Sequence, residues 1–423
     1  MKNRVELNSS AWFGDSPIFL DFPAPWEIVT IGGYHPDLSI EEMRKKLKNP
    51  IGSKPLSEIS GGKKRIIIIV DDITRPTPVE KVLPLILEEL KEAGIRSDSV
   101  TVVIGGGTHA LPTEEEIRKK IGTDLAGKIN VLSHDPGKDL VDLGKTSRGT
   151  PIHLNRIISE SDLVIGVGCI YPHPAAGFSG GSKIIAPGVC GSETARHMHD
   201  YIRGGERGNI NGRNEFRQEI EEIAAKSELR FIVNVVLNQR REVCGLFSGD
   251  KVLAHREGVD FATGIYSVKP VMDADVVVVD AYPFDTTFQF AHDRSLWQFK
   301  GLSRKVSKVI IATCPAGLGH HELYPLKNPF ATRLARRLKN LQWKEFRNSS
   351  VKFHALRKIL ERKKQNFLIL TKGLVENDMI AIYPKAKLYK TWEDILRELK
   401  SRHKNGYVKV CIYRCSPFLL PVG

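Results

Sequence analysis

The stretch RIIIIVDDITRPTP (65–78) decides the fold class. Five β-branched residues follow one another with no polar interruption. A strand of that kind has both faces covered, as in a parallel sheet packed between helices. The run stops at Asp71-Asp72, and Pro76 and Pro78 cannot continue a central strand. A helical pattern over 78–93 follows, and then a second apolar run, VTVVIG (100–105), opening onto Gly106 and Gly107. Strand, helix and strand in this order make a βαβ unit. The pattern continues with strand-like INVLS (129–133), LVIGVG (163–168) and FIVNVVLN (231–238), separated by helical patterns over 112–121, 191–202 and 214–226.

After a helix near 250–264 a second series begins: DVVVVDAY (275–282), KVIIATC (308–314), NFLIL (366–370) and VKVCIY (408–413). The polar stretch TGIYSVKPV (263–271) separates the two series. The expected architecture is therefore α/β, with two lobes, each a largely parallel sheet flanked by helices, and an active-site cleft between them. Residues 1–265 form the expected N-terminal domain, with the cofactor and catalytic motifs, and 266–423 a C-terminal domain that closes the cleft. The last residues are free to pack back on the N-terminal domain.

Composition narrows the class. With 423 residues, 41% hydrophobic and 26% charged, the chain is an ordinary globular mix rather than a disordered one. No apolar run approaches the roughly 20 residues that span a bilayer, and the first residues lack the apolar core of a signal peptide. The cysteines at 169, 190, 244, 314, 411 and 415 are too scattered for a disulfide framework. They read as reduced core residues of a cytoplasmic protein. The net charge of +14 is concentrated: residues 331–364 hold twelve Lys/Arg against two Glu, and the rest of the chain sums to +4. Phe330, Leu334, Leu338 and Leu341 recur there at helical spacing, so the basic residues read as wet faces of amphipathic helices. Nucleic acid is not an expected partner, because no recognition motif accompanies the charge.

In open α/β sheets ligands bind beyond the carboxyl ends of the strands. Four sets of residues stand there. Asp71 to Pro78 follow the first strand; Gly105-Gly106-Gly107-Thr108-His109 follow the second. Cys169-Ile170-Tyr171-Pro172-His173 lead into Gly177-Phe178-Ser179-Gly180-Gly181-Ser182-Lys183. Arg196-His197-Met198-His199-Asp200 come last. Singly, each has a plain structural explanation: a tight turn, or a hydrogen-bonded histidine. Together they gather acids, an Arg, a Lys and four His at one sheet edge. The loop GFSGGSK has Ser182 where a P-loop needs its second Gly, so it is not a Walker motif. Its small residues expose backbone N–H groups suited to a phosphate or carboxylate. His197 and His199 lie two apart, so on a helix they diverge and cannot share one metal.

These motifs, DDITRPTP, GGGTH, YPHPAAGFSGGSK and an H-x-H sixteen residues past the Lys, together resemble the lactate racemase family. CPAGLGHHE (314–322) and RHKNGYVKV (402–410) extend the resemblance over nearly the whole chain. It implies a racemase or epimerase of a 2-hydroxy acid working on a nickel-pincer nucleotide made by separate synthesis proteins. Lys183 then matches the lysine that bonds the cofactor, with Ser179, Gly180 and Gly181 around it, and His199 matches the histidine on nickel. His109 and His173 match the acid/base pair, Arg75 the substrate-holding arginine, and Asp72 the residue orienting it. The family's second lobe supplies a Gln and a Lys with two residues between them. Gln298 and Lys300 are the nearest pair, but only one residue separates them.

The chemistry fits such a set. The C–H of a 2-hydroxy carboxylate is a poor acid, but it leaves as hydride while a histidine takes the hydroxyl proton, giving a 2-keto acid. Two bases serve the two enantiomers, and the Arg75 fork matches a carboxylate. Trp297, Phe299, Phe284, Phe288 and Phe290 read either as core or as walls of a pocket for a larger substrate. A pyridoxal-phosphate racemase with Lys183 as Schiff base, a zinc hydrolase, and a non-catalytic nucleotide- or metal-binding relative are the alternatives.

Overall fold

The computed structural model describes residues 3–202, 204–205, 207–210, 214–319, 365–379, 382–404 and 406–422, with Asp200 and Tyr201 as backbone only. The basic segment 331–364 and the end of the 314–322 motif lie outside the described residues. The chain divides into two compact units, Gly33–Ser267 and Met1–Gly32 with Val268–Gly423. Among the described residues no helix is long and apolar enough to cross a membrane. The six cysteines are buried and are not joined in disulfides.

The chain opens with a hairpin of β1 (Asn3–Ser9) and β2 (Ser16–Phe22), followed by β3 (Glu27–Ile31). Within Gly33–Ser267 come helices α1 (Ile40–Lys48) and α2 (Leu56–Ile59), then β4 (Ile66–Asp71), α3 (Val79–Glu92), β5 (Val100–Gly105), α4 (Glu114–Ile121) and β6 (Asn130–Ser133). A hairpin, β7 (Leu140–Lys145) with β8 (Pro151–Asn155), and the short α5 (Arg156–Ser159) lead to β9 (Leu163–Cys169). A two-residue ribbon, β10 (Pro172–His173) with β11 (Gly177–Phe178), precedes α6 (Ser192–Tyr201), α7 (Glu215–Ala224), β12 (Leu229–Leu237), β13 (Val243–Gly249) and α8 (Leu253–Tyr266).

The sheet of this unit runs β13-β12-β9-β4-β5-β6 and is parallel except where β13 meets β12. Ile66 to Val70 are at most 3% exposed, as an uninterrupted β-branched run requires. Helix starts follow their sequence signals. Ser39 with Glu42 and Thr113 with Glu116 form capping boxes at α1 and α4. One core packs Ile67, Ile69 and Val164 against Ile184, Ile220 and Ile232. Strand order reverses between β4 and β9, which sets the binding crevice at Asp71-Asp72 and Cys169.

The other unit contains β14 (Ser267–Val268), which borders it, and then β15 (Val276–Asp280), α9 (Phe288–Ser295), β16 (Ser307–Ile311), β17 (Phe367–Leu370), β18 (Lys387–Tyr389), β19 (Lys409–Tyr413) and β20 (Leu420–Pro421). Its sheet, β18-β17-β16-β15-β19-β3, is parallel throughout. One expectation about the domains needs correction. Residues 1–32 belong with 268–423 rather than to an N-terminal domain of 1–265, because β3 pairs with β19 along Glu27–Ile31. As a short, half-exposed edge strand it leaves little apolar signal. At the C-terminal end β20 pairs with β14, and Val422 N–H donates to Val268 O.

Candidate active site

Asp72, just past β4, is 3% exposed and organises the first cluster. Its Oδ2 lies 2.5 Å from His109 Nδ1, and its Oδ1 accepts the Thr74 N–H at 3.0 Å and the Thr74 hydroxyl. Arg75 Nη1 donates to Thr74 Oγ1 at 2.8 Å, and Arg75 Nη2 to His109 Nε2 at 3.3 Å. The sequence reading had Asp72 orienting Arg75. Its carboxylate instead holds His109 directly, and Arg75 is held by the Thr74 hydroxyl.

Burial alone would raise the Asp72 carboxyl, but His109, Arg75 and Thr74 outweigh it and hold it below the usual carboxylate range. Burial also pushes the His109 imidazole down, and the charges of Arg75 and Lys183 reinforce this against the pull of Asp72. The pair is thus a carboxylate beside a neutral ring. With Nδ1–H donated to Asp72, the lone pair sits on Nε2, the arrangement of a general base.

Beneath this cluster Lys120, 1% exposed, places Nζ 2.6 Å from Asp71 Oδ1 and 3.0 Å from Arg75 O. Thr77 Oγ1 donates to Asp71 Oδ2 at 2.5 Å. The sequence reading passed over Lys120, which looks like one more basic residue on an amphipathic helix.

His173 ends β10 and is 7% exposed. Its Nδ1 accepts the N–H groups of Ala175 and Ala176 at 3.2 and 3.1 Å, so the neutral ring carries its hydrogen on Nε2. The loop that follows is wound tightly, with Gly177, Gly180 and Gly181 all at positive φ. Its donors turn inward. Ser179 N–H goes to Tyr171 O, Ser179 Oγ to Cys169 O, Gly181 N–H to Asn234 Oδ1, and Lys183 N–H to Gly180 O. The expected anion cradle at Ser179 and Gly181 is therefore corrected: those groups bind the protein itself. The same commitment takes two of the N–H groups that a phosphate cup at this loop would use. Lys183 is half-buried, and its charge is felt at His109.

His199 lies on α6. Its Nδ1 is 2.7 Å from Ala195 O, one helical turn back, and its ring meets Phe216 edge-on at 5.2 Å. Donation from Nδ1 puts the lone pair on Nε2, the state in which imidazole ligates a metal. His197 diverges from it, as helical spacing requires, and its Nδ1 is 2.9 Å from the Thr150 hydroxyl.

In the other unit Gln298 and Lys300 are not brought together. Gln298 is buried, with Nε2 3.5 Å from Ser416 O, while Lys300 is exposed and stands over Trp297 at 5.8 Å. Gln289 on α9 is fully buried, and among the described residues neither end of its amide has a hydrogen-bond partner. Gln289 and His292 have two residues between them, the spacing the family resemblance gives for its Gln and Lys. Of the aromatic residues, Phe288 and Phe299 belong to the core: Phe299 stacks on Phe367 at 5.4 Å, and Phe288 meets Tyr383 edge-on at 6.4 Å.

Comparison with known proteins finds similarity over much of the chain. Residues 19–210, which include Asp72, Arg75, His109, His173, Lys183 and His199, match the lactate racemase N-terminal domain. The structure of the lactate racemase apoprotein from Thermoanaerobacterium thermosaccharolyticum superposes with a TM-score of 0.74 and 25% identity over the whole of both chains. By sequence and by fold, the chain is similar to the lactate racemases. The lactate racemases of Lactiplantibacillus plantarum and T. thermosaccharolyticum are each 34% identical over 262 residues, 60% of this chain, and the matched part spans 61% of their length. A crystal structure of a Thermotoga maritima protein shares the fold, with a TM-score of 0.64 at 17% identity over 92% of this chain.

The residues fit what the lactate racemase resemblance implies of a cofactor. His199 offers Nε2 as a ligand, and Lys183 offers an amine near His109. Among the described residues no three His, Cys, Asp or Glu side chains converge on one point.

Proposed function

We propose that this chain is a racemase or epimerase of a 2-hydroxy carboxylic acid, loaded with a nickel-pincer nucleotide on Lys183 and with His199 on the nickel. The observation that carries the reading is the Asp72–His109–Arg75 cluster beside Lys183: a base, its orienting carboxylate and an anion clamp. When bound, the cofactor supplies a reversible hydride acceptor. The protein's residues do the rest. Arg75 holds the substrate carboxylate with a planar fork that matches it. His109 Nε2 takes the hydroxyl proton of one enantiomer, with Asp72 stabilising the charge that the ring acquires. His173 is our candidate group for the other enantiomer, with an Nε2–H that can donate a hydrogen bond to the substrate oxygen. Cofactor-synthesis proteins are the expected partners.

Co-expression with cofactor-synthesis proteins, followed by chiral chromatography of enantiopure 2-hydroxy acids, tests the reading. The loaded protein should racemise at least one of them. Lys183→Ala should lose the cofactor mass from the intact protein, and His199→Ala should lose nickel more than nucleotide. Parental activity in Lys183→Ala would sink the assignment. A visible absorbance abolished by borohydride would favour pyridoxal phosphate instead.

A further inference from the structure

Behind the Lys183 loop lie buried polar side chains that the proposed reaction does not use, and all of them are aimed at the loop's backbone. They come from α7, β12 and α8, beyond the residues 19–210 that match the family domain. Asn214 Nδ2 donates to Ala175 O at 3.1 Å. Arg217 donates through Nη2 to Ala176 O at 3.1 Å and to Phe178 O, and through Nη1 to Gly180 O at 3.4 Å. His255 Nε2 donates to Ser179 O at 2.8 Å, and Asn234 Oδ1 accepts the Gly181 N–H at 2.7 Å. Five carbonyls and one N–H between residues 175 and 181 are thus fixed from behind.

The glycines fit the same device. Gly180 has φ +80°, and a Cβ there would lie 2.7 Å from Asn234 Oδ1. Gly181 has φ +59°, and its Cβ would lie 2.8 Å from His255 Cγ. The Gly-Gly pair is therefore demanded by side chains behind the loop rather than by a ligand in front of it. Burial brings the Arg217 guanidinium down to about 10, and the His255 ring, buried beside it, down to about 3. A buried cation held by carbonyl oxygens is a costly way to fill space. What it secures is one rigid backbone piece with His173 at one end and Lys183 at the other.

We propose that Arg217, Asn234 and His255 are positioning residues that clamp residues 175–181 and so set where Lys183 presents its amine. The proposal rests on the reading of Lys183 as the attachment residue. Its test does not need the cofactor. Full-length, cofactor-free protein is labelled with trace acetic anhydride, and Lys183 acetylation is read by peptide mass against exposed Lys54 as internal reference. His255→Leu and Asn234→Ala each remove one backbone hydrogen bond. Each should raise the Lys183 to Lys54 ratio about fivefold, the shift in loop opening that one such bond controls. His255→Gln keeps a donor and Asn234→Asp keeps an acceptor, so both should return the ratio towards the parental value.

An unchanged ratio in folded His255→Leu and Asn234→Ala would overturn the clamp. So would conservative variants that behave like the truncations, because that pattern marks simple loss of packing. Arg217→Met is the variant most prone to misfold, so the decision rests on the other two sites, with folding checked by circular dichroism. If the parental protein, once loaded, racemises no 2-hydroxy acid, the functional reading falls while the labelling ratios still judge the clamp.

Discussion

Asp72 Oδ2 receives the Nδ1 hydrogen of His109 over 2.5 Å, and this contact fixes which nitrogen of the ring faces outward. Both groups are nearly buried, at 3% and 10% side-chain exposure, so the interaction is little screened by water. The carboxylate stays ionised and the ring stays neutral.

Asp72→Asn should keep the shape and lose the control of tautomer. With cofactor-loaded protein, turnover should fall by about 10²–10⁴-fold, the usual worth of a positioned general base. The pH profile should also move. Burial lowers the His109 pKa and Asp72 raises it, so removing the carboxylate shifts the acid limb of kcat/KM to lower pH. Parental turnover in Asp72→Asn would leave the carboxylate a structural part only.

Lys120→Met should destabilise the unit by roughly 3–5 kcal/mol, because Asp71 is left with an uncompensated buried charge. Adding Asp71→Asn to Lys120→Met should recover much of that loss. Urea unfolding of the two single variants and the double variant measures the coupling. Strictly additive losses would mean that the pair does not interact.

His255 gives stability a pH dependence of known sign. Its folded pKa, about 3, lies below the unfolded imidazole value, so the unfolded chain binds the extra proton. The contribution is intact above about pH 6.5 and is lost as pH falls towards 3. It amounts to at most roughly 5 kcal/mol at 1.36 kcal/mol per pH unit. His255→Gln should flatten that acid limb in melts between pH 4 and pH 7. A limb of unchanged slope would assign it to other groups.

Phe288→Ala should cost about 3–5 kcal/mol in denaturant unfolding, as for a large buried ring removed from a packed core. Phe299→Leu should leave the relative rates with small and large 2-hydroxy acids unchanged, since Phe299 packs on Phe367. A change in that ranking would restore the aromatic cluster as a pocket wall.

Much of the candidate site is legible in the sequence because parallel strands write themselves plainly. Ile66 to Val70 could only be a doubly covered strand, and in such a sheet the residues after each strand fall at one edge. Asp72, His109, His173 and Lys183 are found by that rule and by motif spacing, with no knowledge of their contacts. The edge strand β3 is invisible by the same logic, since half-exposed residues carry no period that a reader can trust. Gln298 and Lys300 mislead because proximity in sequence says nothing about which face of a turn each side chain takes.

The sequence by itself determined the class of fold, the sheet edge at which chemistry gathers and the residue types gathered there. Those depend on local hydrophobic periodicity and on chain order, which are one-dimensional quantities. Only the tertiary structure decided the pairings: Asp72 with His109 rather than with Arg75, Lys120 under Arg75, and Arg217, Asn234 and His255 behind the Lys183 loop. It also turned the loop's N–H groups inward, where a reading of its glycines alone had aimed them at a ligand. Such pairings join residues 37 to 76 positions apart, and in some cases more than one helix and strand lie between them. Their geometry is set by packing around a shared core, where a buried polar group must find whichever partner lies within about 3 Å.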